Sequence, residues 1–260
     1  MFIHFQDSQF KTENYRYTIG IKKMEGTSVE YWLEVHRVGS VLFENIKVGD
    51  TTLKTLIRSI IETPLLSDIE CLTRHQNEEG KVIAPFTAWL LQGLLKAAFF
   101  HKLDDLREFY VDAQTKLLLS AYDQNLFIFK ELVSLYVEGL EKILKAKTLN
   151  SDFNLLLTGD YPMASCDKNL TSIPIQINSK REQVELAIIL IEVIMKIKQL
   201  VLYHCTEIHQ SLWNISSAII ASQEDDLKFT LLPLLSDMLK VLGPLKNINV
   251  SRLHHTVIFF

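Results

Sequence analysis

Residues 14–22, NYRYTIGIK, alternate in character along the chain. Tyr15, Tyr17, Ile19 and Ile21 fall on one side and Asn14, Arg16, Thr18 and Lys22 on the other, the period-2 pattern of a half-buried strand. Residues 29–37, VEYWLEVHR, repeat the pattern with Val29, Tyr31, Leu33 and Val35. A three-residue loop at Met24-Glu25-Gly26 pairs Ile21 with Val29, Ile19 with Tyr31 and Tyr17 with Leu33, and places Gly26 where the turn needs a left-handed residue. A two-residue turn would set Ile21 against Glu30, so the longer loop is preferred. Arg16 then faces Glu34 across the strands. A third strand is expected over Val41–Ile46, after Gly39. Trp32 falls on the polar face of its strand, beside Glu30, Glu34 and His36.

The period changes after residue 50. Asp50 reads as an N-cap, and Leu53, Leu56, Ile57, Ile60 and Ile61 form one helical face that Pro64 closes. Residues 67–84 are mixed, with a loop tip at 78–80. From Pro85 to His101 there is hardly a polar face, which predicts a buried helix. Helices are expected over 103–121 and 123–147, the second with Glu138–Lys142 and Glu141–Lys145 in the favourable i, i+4 order. Residues 149–178 hold Gly159, Pro162 and Pro174 and read as a long connection with a short strand at 173–177. A long apolar helix follows from about Ser179 towards Ser222, with Tyr203-His204-Cys205-Thr206 as the place where it could break. A last helix runs over about 223–243 and stops at Gly243-Pro244, with Pro233 as a kink. The tail, TVIFF at 256–260, is apolar and suits an added strand.

The expected fold is α+β and predominantly helical: a small N-terminal antiparallel sheet plus a bundle of five or six long helices. The division expected is 1–63 for the sheet and first helix and 64–260 for the helical bundle, with one continuous domain as the other arrangement. No alternating βα units suggest a parallel sheet.

Composition narrows the function classes. Of 260 residues, 48% are hydrophobic and 22% charged, too apolar for a disordered chain. Three cysteines cannot build a disulfide scaffold. A net charge of −4 gives no basic field for nucleic acid. The first ten residues carry no basic cluster followed by an apolar run, so no leader is expected and the sequons at Asn169, Asn214 and Asn249 are read as chance. Glu192, Lys196 and Lys198 would sit inside any span drawn over 186–203, each at a cost of about 2.5–3.5 kcal/mol. Membrane insertion is therefore not expected, and the expected location is cytoplasmic.

The chemistry-bearing candidates are few. Cys71/His75 and Cys205/His209 share a C-x-x-x-H spacing and together would make a four-ligand zinc site, although neither has the tight spacing of common zinc modules. Cys166, in the long connection, is a candidate thiol nucleophile without a matching local signature. The pairs Asp104-Asp105, Glu78-Glu79 and Asp225-Asp226 do not face each other on a helix, and two of them sit at helix starts where the dipole explains them. His254-His255 in the tail reads as a surface feature. Phosphate-binding loops, nucleophile elbows and metalloprotease motifs are missing from the sequence. No catalytic residue, metal or cofactor is assigned.

The interaction reading leads: a non-catalytic protein-interaction protein, whether adaptor, chaperone or structural subunit. It associates with a protein partner or with itself, does not bind nucleic acid, and uses Trp32 with Glu30, Glu34 and His36 as the candidate surface. The alternative is an enzyme or small-molecule-binding helical protein with a pocket under the 149–178 loop. The apolar helices at 85–101 and 186–221 are either core or interface.

Overall fold

The structure is a computed structural model. It describes residues 9–12, 15–18, 28–47, 51–62, 75–76, 82–83, 85–101, 105–146, 151–155, 172–221 and 225–242. Among them are nine α-helices: α1 (Ser28–Glu44), α2 (Thr52–Ile61), α3 (Pro85–Phe100), α4 (Asp105–Gln124), α5 (Leu126–Lys145), α6 (Lys180–Lys196), α7 (Lys198–His204), α8 (His209–Ile220) and α9 (Asp225–Leu242). Three antiparallel two-stranded ribbons accompany them: β1 (Gln9–Thr12) with β2 (Tyr15–Thr18), β3 (His75–Gln76) with β4 (Val82–Ile83), and β5 (Ser151–Phe153) with β6 (Ile175–Ile177).

The expected N-terminal sheet needs correction. Strand β2 lies where alternation places it, but it pairs with β1, setting Phe10 against Tyr17 and Lys11 against Arg16. Residues 29–37 and 41–44, expected as the second and third strands, are one helix, α1. Trp32, Glu30, Glu34 and His36 thus do not share a strand face. The reason is visible in what α1 buries. Val35, His36, Val38, Gly39 and Phe43 are its buried positions, a spacing of a helical stripe rather than of alternate residues. Glu34 is held bidentately by Arg37, at 2.5 and 2.7 Å, a pair that i, i+3 neighbours make on a helix and that opposite faces of a strand would forbid. The β5–β6 ribbon, in the middle of the chain, packs its apolar side chains into the described core, and β4 also touches α5. The ribbon is short, with Phe153 opposite Ile175.

The expected count of five or six long helices is also corrected. The long helix over 179–222 is broken twice. Its first break is Ile197, between α6 and α7, and its second is Cys205, where a single 3-10 turn (Thr206–Ile208) leads into α8. In α2 the apolar face is as expected, with Leu53, Leu56, Ile57 and Ile60 buried; Thr51, not Asp50, occupies the N-cap position and its side chain makes no capping bond. Pro233 lies inside α9. The turn expected at 24–26 and the tail at 256–260 lie outside the described residues.

Contacts give the helix order. α3 packs on α4, α4 on α5 and α5 on α6, while α6 also touches α3, α4 and α9. Two cross-helix ion pairs fix a direction. Arg107 reaches Glu192 at 2.6 Å and Asp112 is reached by Lys196 at 2.7 Å, so α4 and α6 run parallel, with α5 returning between them. At the other end of α5, buried Gln183 of α6 donates to the carbonyls of Ile143 and Ala146, satisfying acceptors that a helix end leaves orphaned. Buried apolar side chains from Val35 to Leu227 form one core cluster. Of the two segments that sequence offered as core or interface, 85–101 holds α3 and 186–221 runs from α6 through α7 and α8; most of their apolar side chains are buried in this chain, with Phe100 and Tyr203 as exposed exceptions. No described helix is long and apolar enough to cross a membrane.

Glycines set the approach of α1 to α3. A Cβ on Gly93 would fall 2.4 Å from the Phe43 ring, and one on Gly39 2.9 Å from the Trp89 indole. Each helix offers a notch to an aromatic ring of the other, and the rings of Phe43 and Trp89 meet edge to face at 5.7 Å.

Candidate functional site: an aromatic pole of the bundle

The C-terminus of α4, the N-terminus of α5, the C-terminus of α7 and the start of α8 meet at one end of the bundle. The meeting is fixed by named contacts. The Tyr122 hydroxyl and the His204 Nε2 lie 3.1 Å apart, and the Tyr122 ring packs at 5.2 Å on both Phe129 and His204. Lys130 reaches Glu207 at 3.5 Å. Asn125 caps α5 by accepting hydrogen bonds from the backbone N–H groups of Phe127 and Ile128, at 2.9 and 3.4 Å. Beneath this end the Tyr136 hydroxyl donates to Gln114 at 2.6 Å, and Gln114 donates to the Tyr110 carbonyl, so the buried Gln114 amide is bonded on both sides.

This end presents large apolar side chains outward among polar ones. Phe127 is 77% exposed and Tyr203 68%, and Leu126 is exposed beside them. Both aromatics are on rigid elements, one just inside a capped helix start and the other in the last turn of α7. A third exposed aromatic, Phe229, lies on α9. Asp123 is the remaining feature. It stands exposed in the last turn of α4, where the helix dipole disfavours an acid, and that turn holds no basic residue.

The sequence-derived candidates fall elsewhere. Glu30 and Trp32 lie in α1, but their side chains are outside what is described. Glu34 is half-buried and engaged by Arg37. His36 is inside, its ring 4.7 Å from Trp89 and 6.5 Å from Phe86. The paired Cys-His spacing is not brought together by anything described. Cys71 is outside the described residues and His75 sits in β3. Cys205 is fully buried, and burial pushes its thiol up to about 12. Such a thiol is protonated at neutral pH, the wrong form for a nucleophile. His209 is buried with its Nε2 unbonded. Among the described residues no group of three or more His, Cys, Asp or Glu could hold a metal ion. Cys166, Glu78-Glu79, Asp104 and His254-His255 are outside the described residues. Asp225 and Asp226 are exposed in the first turn of α9, and Asp225 meets Lys228 at 3.3 Å.

The 149–178 connection has a firm base. Gln92, buried within α3, donates to the carbonyls of Phe153 (3.1 Å) and Ile173 (2.7 Å) and accepts from the Leu155 N–H (2.8 Å). One amide thus holds both arms of the connection where they leave β5 and enter β6. The only sequence signal for it was a glutamine in an otherwise apolar helix.

Comparison with known protein families, curated proteins and solved structures returns no match. The aromatic pole is therefore read on its own chemistry. Sequence reasoning missed it because Phe127 and Tyr203 each continue an apolar run (LFIF and LVLY) and look like core. Only the position of the helix ends turns them outward.

Proposed function

We propose that the chain is a non-catalytic protein-interaction protein, an adaptor, chaperone or structural subunit of a larger assembly, and that its contact surface is the aromatic pole. The observation that carries the reading is that two of the three most exposed aromatics among the described residues, Phe127 and Tyr203, are held at the same end of the bundle. Burying one such ring in a partner's pocket contributes about 1.5–3 kcal/mol, and aromatics seated on rigid elements are the usual anchors of interfaces. The reading needs no cofactor and keeps the chain in the cytoplasm. It moves the contact surface away from Trp32, since His36 and Glu34 of that set are engaged within α1 and α3.

The test is association measured by light scattering on the native preparation, with Phe127→Ala and Tyr203→Ala. Each is expected to weaken association about tenfold. Neither should change the thermal midpoint, because both rings face water. Unchanged association in both variants would remove the reading.

A second reading, an enzyme or small-molecule-binding protein with a pocket under the 149–178 connection, has one observation in its favour. Gln92 holds the two arms of that connection together from within the core. A ligand whose binding survives Gln92→Leu with unchanged affinity would count against it.

A further inference from the structure

We infer that the occupant of the aromatic pole is an apolar peptide segment flanked by lysine or arginine, and this inference rests on the reading of the pole as a contact surface. Two independent observations meet here. The first is the exposed pair Phe127 and Tyr203. The second is the balance of charge around them. Asp123 is exposed with no cation bonded to it among the described residues, and it lies at a helix C-terminus where its own charge opposes the dipole. Glu207 is exposed as well, and Lys130, the basic group reaching it, does so only at 3.5 Å. His204 is engaged by Tyr122, and His209 is buried. An acid kept at the C-terminal end of a helix is held against the dipole at a cost. A cation brought in by a partner would relieve that cost at the same place where the aromatics are buried.

The same charges argue against the other occupants. A second copy stacked on a two-fold axis through the pole would bring Asp123 and Glu207 towards their own equivalents, so like charges would crowd. An anionic bilayer surface would repel both acids. A segment with apolar anchors and basic flanks satisfies the rings and the acids together.

The experiment uses the full chain and three sets of synthetic twelve-residue peptides, with fluorescence anisotropy as the readout. All sets share leucine and phenylalanine anchors; their flanks are lysine and arginine, glutamine, or glutamate. The basic set is expected to bind at least tenfold tighter than the acidic set, and to weaken as salt is raised. Asp123→Asn with Glu207→Gln should shrink that preference to threefold or less while leaving binding of the glutamine set unchanged. Phe127→Ser should weaken every set. Thermal melts of each variant check the fold. Binding through Phe127 without charge preference would overturn this inference and leave the interaction reading standing. No binding by any set, with unchanged association of the Phe127 variants, would overturn both. Preferred binding to phosphatidylcholine–phosphatidylserine vesicles, or a dimer abolished by Phe127→Ser, would replace the basic segment with a lipid surface or a second copy.

Discussion

Gly93 and Gln92 are adjacent in α3 and do opposite things. Gly93 makes room. Its missing Cβ would lie inside contact distance of the Phe43 ring, with backbone behind it and core around it. Gly93→Ala is expected to destabilise the chain by about 1–3 kcal/mol through overpacking, measured by urea denaturation, despite alanine's better helix propensity. Smaller residues at position 43 should recover part of the loss. Gln92 fills room with polarity. Gln92→Leu would strand two carbonyls and one N–H, and a cost of about 1–3 kcal/mol is expected. Hydrogen exchange should rise at Leu155 and in the β5–β6 ribbon before it rises elsewhere. Cys205 gives a pH prediction. A thiol raised from its ordinary 9.0 to about 12 holds its proton in the folded state while the unfolded chain loses it. Its contribution is therefore complete below pH 9 and is lost as pH climbs towards 12. Denaturation midpoints should fall between pH 9 and pH 11, and Cys205→Ala should flatten that slope. A thiol reagent at pH 8 should label Cys205 only after unfolding.

Helix ends decide what the elements can do. Asn125 caps α5 at the junction with α4, and the pole exists because α5 starts there. Asn125→Ala should cost about 1 kcal/mol, with Asn125→Gly costing less, and the effect should reach association through the tilt of Phe127. The ion pairs between α4 and α6 are expected to matter less. They are partly exposed, so Glu192→Gln or Asp112→Asn should change stability by under about 1 kcal/mol. The sequence makes α2, α3 and α5 legible because each carries a sustained 3.6-residue apolar stripe or a nearly unbroken apolar run. α1 was misread because Val29, Tyr31, Leu33 and Val35 satisfy a period of two over a short window. Its helical period emerges only when Val38 and Phe43 are included, and Gly39 looked like a turn until Trp89 was seen against it. The breaks at Ile197 and Cys205 carry no proline or glycine. The second falls within Tyr203-His204-Cys205-Thr206, where the sequence allows a break, whereas nothing local in the sequence marks the first, at Ile197.

At the scale of the molecule, the described core is continuous from α1 to α9, so one cooperative unfolding transition is expected across far-UV circular dichroism and tryptophan fluorescence. The helix-dominated class was readable from scarce glycine and proline and from the lengths of the apolar runs. The pole was not, because exposure is a property of how helices end together, and Phe127 has the same neighbours in sequence as a core residue. The Gln92 clamp carries a further consequence, for synthesis. Its acceptor at Ile173 lies 81 residues further along the chain. At about 5–20 residues per second the ribosome needs about 4–16 s to make that stretch. α4 and α5 are made within that interval, and Phe153 and Leu155 emerge about 1–4 s before Ile173, so the glutamine meets its β5 partners first and its last acceptor only when Ile173 appears. Until then one N–H of the Gln92 amide must be satisfied by water, so the arm that enters β6 is the last to be clamped.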